Sequence, residues 1–597
     1  MRPGKVNLEK AKDMKGTLKK LLAYMGRYKV ALMAVLFVAF VSTVLSVMGP
    51  KILGQATTYL ADGLMEKVKG TGSIDFHKIG MVLSYTLAIY VVSTLLSLGQ
   101  GFVMTKITQK VCYNLRRDIS KKINSLPLGY FESRPYGDVL SRITNDVDTI
   151  GTGLNQSITQ MITSTTTIIG VLVMMLTISR VMTLIALIVL PVSAGFLALV
   201  VKYSQRYFKK QQEALGQING LVEEAYGGHL VIKSFNMEEE MTEKFKVIGD
   251  EMHKSAQRSQ FLSGLLQPLM VFVGNLGYGA VVISGGMLAI KGYIGIGDIQ
   301  AFIQYVKNFT QPLQQMAQVV NQIQGTAAAA ERVFEFLGEK DEAVLEGEPL
   351  QIAEVKGQVA FDKVNFSYTD GVPIIKNFSL DVKPGQKVAI VGPTGAGKTT
   401  IVKLLMEFYP VDSGNITLDG IDCQSMGRSN LRQHFSMVLQ DTWLYSGTIM
   451  ENIRYGRLDA TDEEVIEAAK SACAHHFIET LPGGYQMKIN EDGTNISQGQ
   501  KQLITIARAI LANRPVLILD EATSSVDTRT EAIIQKAMDN LMKGRTSFVI
   551  AHRLSTIRNA DVILVMRDGS IVEMGSHQQL IEDDGFYAQL YNSQFDQ

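Results

Sequence analysis

The residues best equipped for chemistry lie in the last 240 or so of 597. Residues 387–400 read KVAIVGPTGAGKTT, an apolar run that breaks into Gly392, Pro393, Thr394, Gly395, Ala396, Gly397, Lys398, Thr399 and Thr400. Glycines let consecutive backbone N–H groups curl around phosphate oxygens, and a helix opening here adds the positive end of its dipole. In that setting Lys398 meets the outer phosphates of a nucleoside triphosphate, and the Thr399 hydroxyl holds Mg²⁺. A second apolar run, 516–519, ends in Asp520 and Glu521. It reads as a central parallel strand that delivers both carboxylates to the sheet edge where open α/β folds bind ligands. Asp520 there supports Mg²⁺, and Glu521 stands as the base that orients or deprotonates an attacking water.

These groups need a parallel sheet flanked by helices, and 356–597 has the texture of such a domain. Two β-rich segments, 359–368 and 374–382, precede the glycine-rich loop. A helix over 501–511 follows the sequence NISQGQ at 495–500. Upstream the texture changes. Six apolar stretches, about 30–49, 79–105, 156–178, 181–203, 263–290 and 296–320, each approach the roughly 20 residues that cross a bilayer. A mean hydropathy of +0.12 suits such a mixed chain. The expected organisation is a tail over 1–16, a six-span helical domain over 17–330, an acidic linker over 331–355 and the α/β domain.

Lys and Arg cluster in the N-terminal tail and in the connections 106–155 and 204–262, while the connections 179–180 and 291–295 are very short. The basic side is therefore cytoplasmic, and six spans place both termini there. Residues 17–28 read as a basic amphipathic helix on the inner membrane face, with no signal-peptide cleavage site after the first apolar run. The 58 Lys and Arg balance 57 Asp and Glu, so no basic field points to nucleic acid. Cys112, Cys423 and Cys473 lack metal-ligand spacing and read as reduced, packed thiols.

Within the first five spans no charged residue is clearly central, whereas Lys307 falls in the middle of the sixth. Intramembrane charge is costly and usually functional, so Lys307 either faces a watery cavity or snorkels and pairs. Absent central acids argue against a proton-coupled carrier. Amides and hydroxyls such as Asn155, Gln156, Gln160, Ser164, Asn275, Gln304 and Asn308 either line a translocation cavity or bond helix to helix. Met161, Met174, Met175 and Met270 offer adaptable apolar surface, though thioethers also simply pack.

The sequence 495–500 resembles the signature of the ATP-binding cassette family, usually written LSGGQ. Nearly the whole chain, about 17–592, is similar to one half of a bacterial ATP-binding cassette exporter of the multidrug or lipid type. The loop 131–148 (FESRPYGDVLSRITNDVD) resembles the first intracellular loop of such exporters, which carries a coupling helix. The resemblance implies that two cassettes, head to tail, bind ATP between them. It further implies that Tyr368 stacks on adenine, that Gln440 links Mg²⁺ to the membrane domain and that Glu491 contacts coupling helices. Asp527 then belongs to the cassette interface, and His552 contacts the γ-phosphate. Ser497, Gln498, Gly499 and Gln500 would reach the nucleotide held by the other cassette.

Gln498 departs from the pattern, standing where the first signature glycine is usual. A glycine offers bare backbone to a phosphate, so the departure puts hydrolysis at that composite site in doubt. Within the family it implies an unequal pair: this chain with intact Lys398, Asp520, Glu521 and His552, and a different partner with a degenerate catalytic site. A homodimer that tolerates Gln is the alternative. The implied cargo is an amphipathic drug, lipid or peptide crossing the cell membrane. An importer on the same fold, or a homodimeric lipid flippase, remains open. Six fused spans argue against a soluble ATPase working on DNA or ribosomes.

Overall fold

The computed structural model describes residues 12–71, 73–342, 354–369, 371–440, 442–490, 493–520, 527–550 and 557–595. The chain divides into two compact units. One comprises Met1–Asn124 and Gly137–Glu339, the other Ser125–Tyr136 and Lys340–Gln597.

The first unit is helical. An opening helix α1 (Met14–Tyr24) runs into a 3-10 turn, Met25–Tyr28. Two long helices follow, α2 (Lys29–Val68) and α3 (Phe76–Ser125), then the short α4 (Leu128–Glu132) and α5 (Tyr136–Ser141). The remaining helices are α6 (Val147–Ile178), α7 (Arg180–Gly227), α8 (His229–Ser234), α9 (Glu238–Gly264), α10 (Leu266–Ile290) and α11 (Ile296–Leu337). The six apolar stretches fall in α2, α3, α6, α7, α10 and α11. Among the described residues, segments spanning Met14–Val68, Phe76–Ser125, Tyr136–Ile178 and Glu238–Ile290 are long and apolar enough to cross a membrane, and Arg180–Val189 is a shorter apolar stretch. The helices outrun the bilayer, as 40 residues in α2 and 48 in α7 require.

Lipid supplies no hydrophobic drive between spans, so close backbone approach and polar pairs hold them together. A Cβ on Gly297 in α11 would lie 1.8 Å from the Gly54 carbonyl oxygen of α2. Ser42 donates to the Ser93 carbonyl at 2.8 Å, joining α2 to α3. Tyr305 Oη, fully buried, donates to the Val47 carbonyl at 2.9 Å. Gln160 Nε2 donates to Gln315 Oε1 at 2.5 Å, and Gln322 Nε2 to Gln156 Oε1 at 2.7 Å. Two of the amides expected either in a cavity or between helices thus bond α6 to α11. Lys307 is exposed on α11.

The loop resembling a coupling segment is divided between the units at Tyr136. On the helical unit's side, buried Arg142 donates to Asp138 at 2.9 Å and to the Arg332 carbonyl at 3.0 Å. Asp146 in turn receives the Arg332 guanidinium, one bond being 2.9 Å. This network ties the start of α6 to the end of α11. That helix continues to Leu337, through the stretch read from sequence as the start of a linker.

The second unit contains two sheets. Strands β1 (Val359–Ser367), β2 (Pro373–Val382), β4 (Ser413–Leu418) and β5 (Ile421–Asp422) form an antiparallel sheet ordered β2-β1-β4-β5. The larger sheet contains β3 (Lys387–Val391), β6 (Phe435–Val438), β7 (Val516–Asp520), β8 (Thr546–Ile550), β9 (Val562–Arg567) and β10 (Ser570–Gly575). Its order is β10-β9-β3-β8-β7-β6, parallel from β9 to β6. Alternate residues of its strands serve two cores. Val388, Ile390, Val516 and Ile518 pack toward the antiparallel sheet, and Ala389, Val391, Leu517 and Leu519 toward the helical side. Burial on both faces explains why β3 and β7 are uninterrupted apolar runs.

Candidate nucleotide site

The parallel order brings the chemistry to one edge. C-terminal ends of four adjacent strands, β3, β8, β7 and β6, lead respectively into the glycine-rich loop, the segment holding His552, the Asp520–Glu521 pair and Gln440. Glu521, His552 and Glu491 lie outside the described residues, as do 522–526 and 551–556.

The loop after β3 has the backbone expected of a phosphate cradle. Gly392 has φ 151° and Gly397 has φ 97°. A Cβ on Gly392 would lie 2.3 Å from the Met566 carbonyl oxygen, so only glycine fits between loop and β9. Gly397 caps the helix α12 (Lys398–Leu405), whose first N–H groups face the loop. Lys398 Nζ folds back onto the carbonyls of Gly392 and Pro393, at 2.7 and 3.0 Å. Burial lowers its pKa, and the Asp520 carboxylate works in the opposite direction. The ammonium is thus partly desolvated and bonded to neutral carbonyls of its own loop.

Thr399 is exposed at the loop rim and Asp520 is half-buried at the end of β7. Gln440 is exposed two residues past β6. Hydroxyl, carboxylate and amide oxygens are hard donors of the kind Mg²⁺ takes alongside substrate phosphates. No group of three or more His, Cys, Asp or Glu side chains suited to a metal occurs among the described residues.

Tyr368 follows β1 and is 44% exposed. It stands edge-on to Phe366, with centroids 4.8 Å apart, and to Tyr409, at 5.0 Å. Its hydroxyl is 3.3 Å from Thr400 Oγ1. The aromatic is therefore anchored beside α12 with part of its ring exposed.

Ser497 caps the helix Gln498–Ala512 in a capping box: its Oγ accepts from Gln500 N–H, and Gln500 Oε1 accepts from Ser497 N–H at 2.9 Å. The helix begins three residues before the expected Lys501. Gly499 is buried and Gln498 exposed. The Gln498 side chain donates to Thr442 Oγ1 at 3.1 Å. Asp527 caps the helix Thr528–Met542 by accepting from Thr530 N–H at 3.0 Å, and its hydrogen bonds to Thr530 hold the carboxyl below its usual range.

Sequence reasoning passed over Thr442, and also Glu132, Lys403 and Tyr409. Lys403 Nζ donates to both Glu132 oxygens at 2.8 and 2.9 Å, and Tyr409 Oη donates to Glu132 Oε2 at 2.6 Å. Only the position of Lys403, on the helix that opens at Lys398, hinted at this cluster.

Sequence comparison agrees with this architecture. The family profile of the ABC transporter transmembrane region matches residues 32–313, and the ABC transporter profile matches 375–524. A fatty acid ABC transporter ATP-binding/permease protein of Mycobacterium bovis is 43% identical over 97% of both chains. An uncharacterized ABC transporter ATP-binding protein of Bacillus subtilis is 41% identical over 98% of this chain and 96% of its own. An ATP-dependent lipid A-core flippase of Syntrophus aciditrophicus is 36% identical over 85% and 84%. The chain belongs to the ABC transporters, as an exporter half-transporter that joins a membrane region to an ATPase which couples ATP hydrolysis to transport.

Proposed function

We propose that this half-transporter moves an amphipathic, lipid-like molecule and works with a different chain whose own catalytic site is degenerate. The full-length likeness to a protein named for fatty acid transport carries the cargo reading. Spans rich in hydroxyls and amides, with no clearly central acid, support it. Gln498 supports an unequal pair: its carboxamide occupies the opening turn of the signature helix, where an outer phosphate would meet bare backbone.

On this reading ATP and Mg²⁺ bind at the Lys398 loop, with Thr399, Gln440 and Asp520 as the oxygen donors for the ion. Tyr368 stacks on adenine, Glu521 orients the water and His552 meets the γ-phosphate. Ser497, Gly499 and Gln500 of this chain complete the partner's site, while Asp527 and Glu491 serve the interface and the coupling helices. ATP binding closes the two cassettes and turns the membrane cavity outward. Hydrolysis resets it.

The test is ATPase stimulation in reconstituted vesicles by long-chain fatty acids, set against a cationic amphiphile and a peptide, with Glu521→Gln as the inactive control. Stimulation by the acids alone is expected, and stimulation by the cationic amphiphile or the peptide but not by the acids refutes the cargo reading. A homodimeric lipid flippase is the second reading, its cargo class supported by likeness to relatives named as lipid A-core flippases. ATPase activity of this chain alone equal to that of the membrane-purified complex would establish it.

A further inference from the structure

Segment Ser125–Tyr136 issues from the end of α3, yet it belongs to the same compact unit as the cassette. Its short helix α4 ends in Glu132, and that carboxylate receives three hydrogen bonds of 2.9 Å or less, from Lys403 and Tyr409. Lys403 projects from α12, five residues past the phosphate-site lysine. Its ammonium is 5.7 Å from the Tyr368 ring centroid and 6.0 Å from that of Tyr409. Tyr409 stands edge-on to Tyr368, the two planes at 88°. A Cβ on Gly129 would lie 3.0 Å from the Tyr409 ring, so the α4 backbone rests directly on that ring.

These contacts make a closed arrangement. Glu132 fixes the Tyr409 hydroxyl and the Lys403 ammonium, and the Tyr409 ring and that ammonium pack against Tyr368, which keeps 44% of its surface exposed. Charge-assisted bonds of this kind are short and directional, so they set ring orientation rather than only adding attraction. The ammonium beside two ring faces adds a cation–π component that depends on the same placement.

We propose that Glu132, acting through Tyr409 and Lys403, is a positioning residue for the base-binding face of Tyr368, so that a segment from the membrane domain's first cytoplasmic connection sets how well the cassette discriminates the base of its nucleotide. The inference rests on Tyr368 being the adenine-stacking residue. It differs from a purely mechanical role for the loop because it predicts an effect on nucleotide choice.

The experiment uses the full-length chain, purified from membranes with the subunit that accompanies it, and compares hydrolysis of ATP and UTP. A single-ring base stacks over less area, so the ratio of their kcat/KM values reports the Tyr368 face. Tyr368→Ala should collapse that ratio. Glu132→Gln and Tyr409→Phe, which keep shape and ring packing, should each lower it by about fivefold, the scale of a weakened aromatic contact, through KM for ATP with kcat changed less than about twofold. A ratio unchanged in both conservative variants while Tyr368→Ala lowers it overturns the inference alone. A ratio unchanged in Tyr368→Ala overturns the adenine reading of Tyr368. Equal losses for ATP and UTP in Glu132→Gln mark a structural loop contact and also overturn the inference.

Discussion

The Gln498 carboxamide donates to Thr442 Oγ1 across 3.1 Å, fastening the first turn of the signature helix to the segment just beyond Gln440. On the proposed reading Gln498 belongs to the site completed with a partner, and Thr442 follows the Gln440 proposed for this chain's own site. The substitution that removes a glycine therefore also adds a bridge within the cassette.

Replacing Gln498 by Gly should raise ATP turnover of the complete transporter, by about twofold or more, because one aligned phosphate-contacting donor can carry a large share of transition-state stabilisation. Thr442→Val cuts the bridge but keeps the glutamine. If it alone reproduces the gain, the bridge restrains turnover rather than side-chain bulk. Steady-state ATPase measurements on both variants separate the two.

Lys398→Ala should reduce ATPase activity by about a hundredfold or more, the usual effect of deleting a charge that meets a transferring phosphoryl group. Gly392→Ala should fail differently. Its Cβ would collide with the Met566 carbonyl at a φ of 151°, so the cassette itself should lose about 2 kcal/mol or more. Thermal unfolding distinguishes them: the lysine variant melts normally and the glycine variant melts early.

Ser497→Ala removes the cap of the helix Gln498–Ala512 and should cost ~1 kcal/mol of cassette stability. Loss of activity greater than that stability change predicts would mean that the hydroxyl also meets the nucleotide. Parallel melting and ATPase curves give the comparison.

In the membrane unit, Gly297→Val should abolish the close pass of α11 over α2, since even a Cβ would sit 1.8 Å from the Gly54 oxygen. Gly286→Ala in α10 has open space around its Cβ and should be silent. Yield of detergent-stable protein is the readout.

The pair joining Glu132 to Lys403 should survive mild acid. Burial raises the Glu132 pKa, but the hydrogen bonds from Lys403 and Tyr409 outweigh it and hold the carboxyl below its ordinary 4.5. A depressed carboxylate pKa contributes stability above the unfolded value and loses it as pH falls through the folded one. The stability gap between the wild type and Glu132→Gln should stay level from neutral pH to about 5 and close only below the ordinary carboxylate range.

How much of this was legible follows from sequence distance. The glycine-rich turn after β3 and the place of Asp520 at the end of β7 could be read because each is a local strand-to-loop transition with a distinctive residue pattern. Helices at the six apolar stretches could be read from apolar length, although by length and composition four described segments suffice to cross a membrane. Helix ends could not be: α11 runs on to Leu337 because 327–337 has no breaker before Gly338 and turns Val333 and Phe336 into the core. Gln498 was visibly unusual, yet its partner lies 56 residues away with no periodic cue. Glu132 and Lys403, 271 residues apart, are joined only by the folded chain. Amides such as Gln156 and Gln160 were ambiguous by composition, and only their partners on α11 assign them to helix pairing.

The boundary at Ser125–Tyr136 bears on how the ATPase can be dissected. A fragment cut at Lys340 would carry Lys403 and Tyr409 without the carboxylate that organises them, and would expose the ring edge on which α4 rests. The compact unit that holds the cassette includes a piece from the other half of the polypeptide. If Glu132 positions Tyr368 as proposed, nucleotide preferences measured on the severed domain would differ from those of the whole chain.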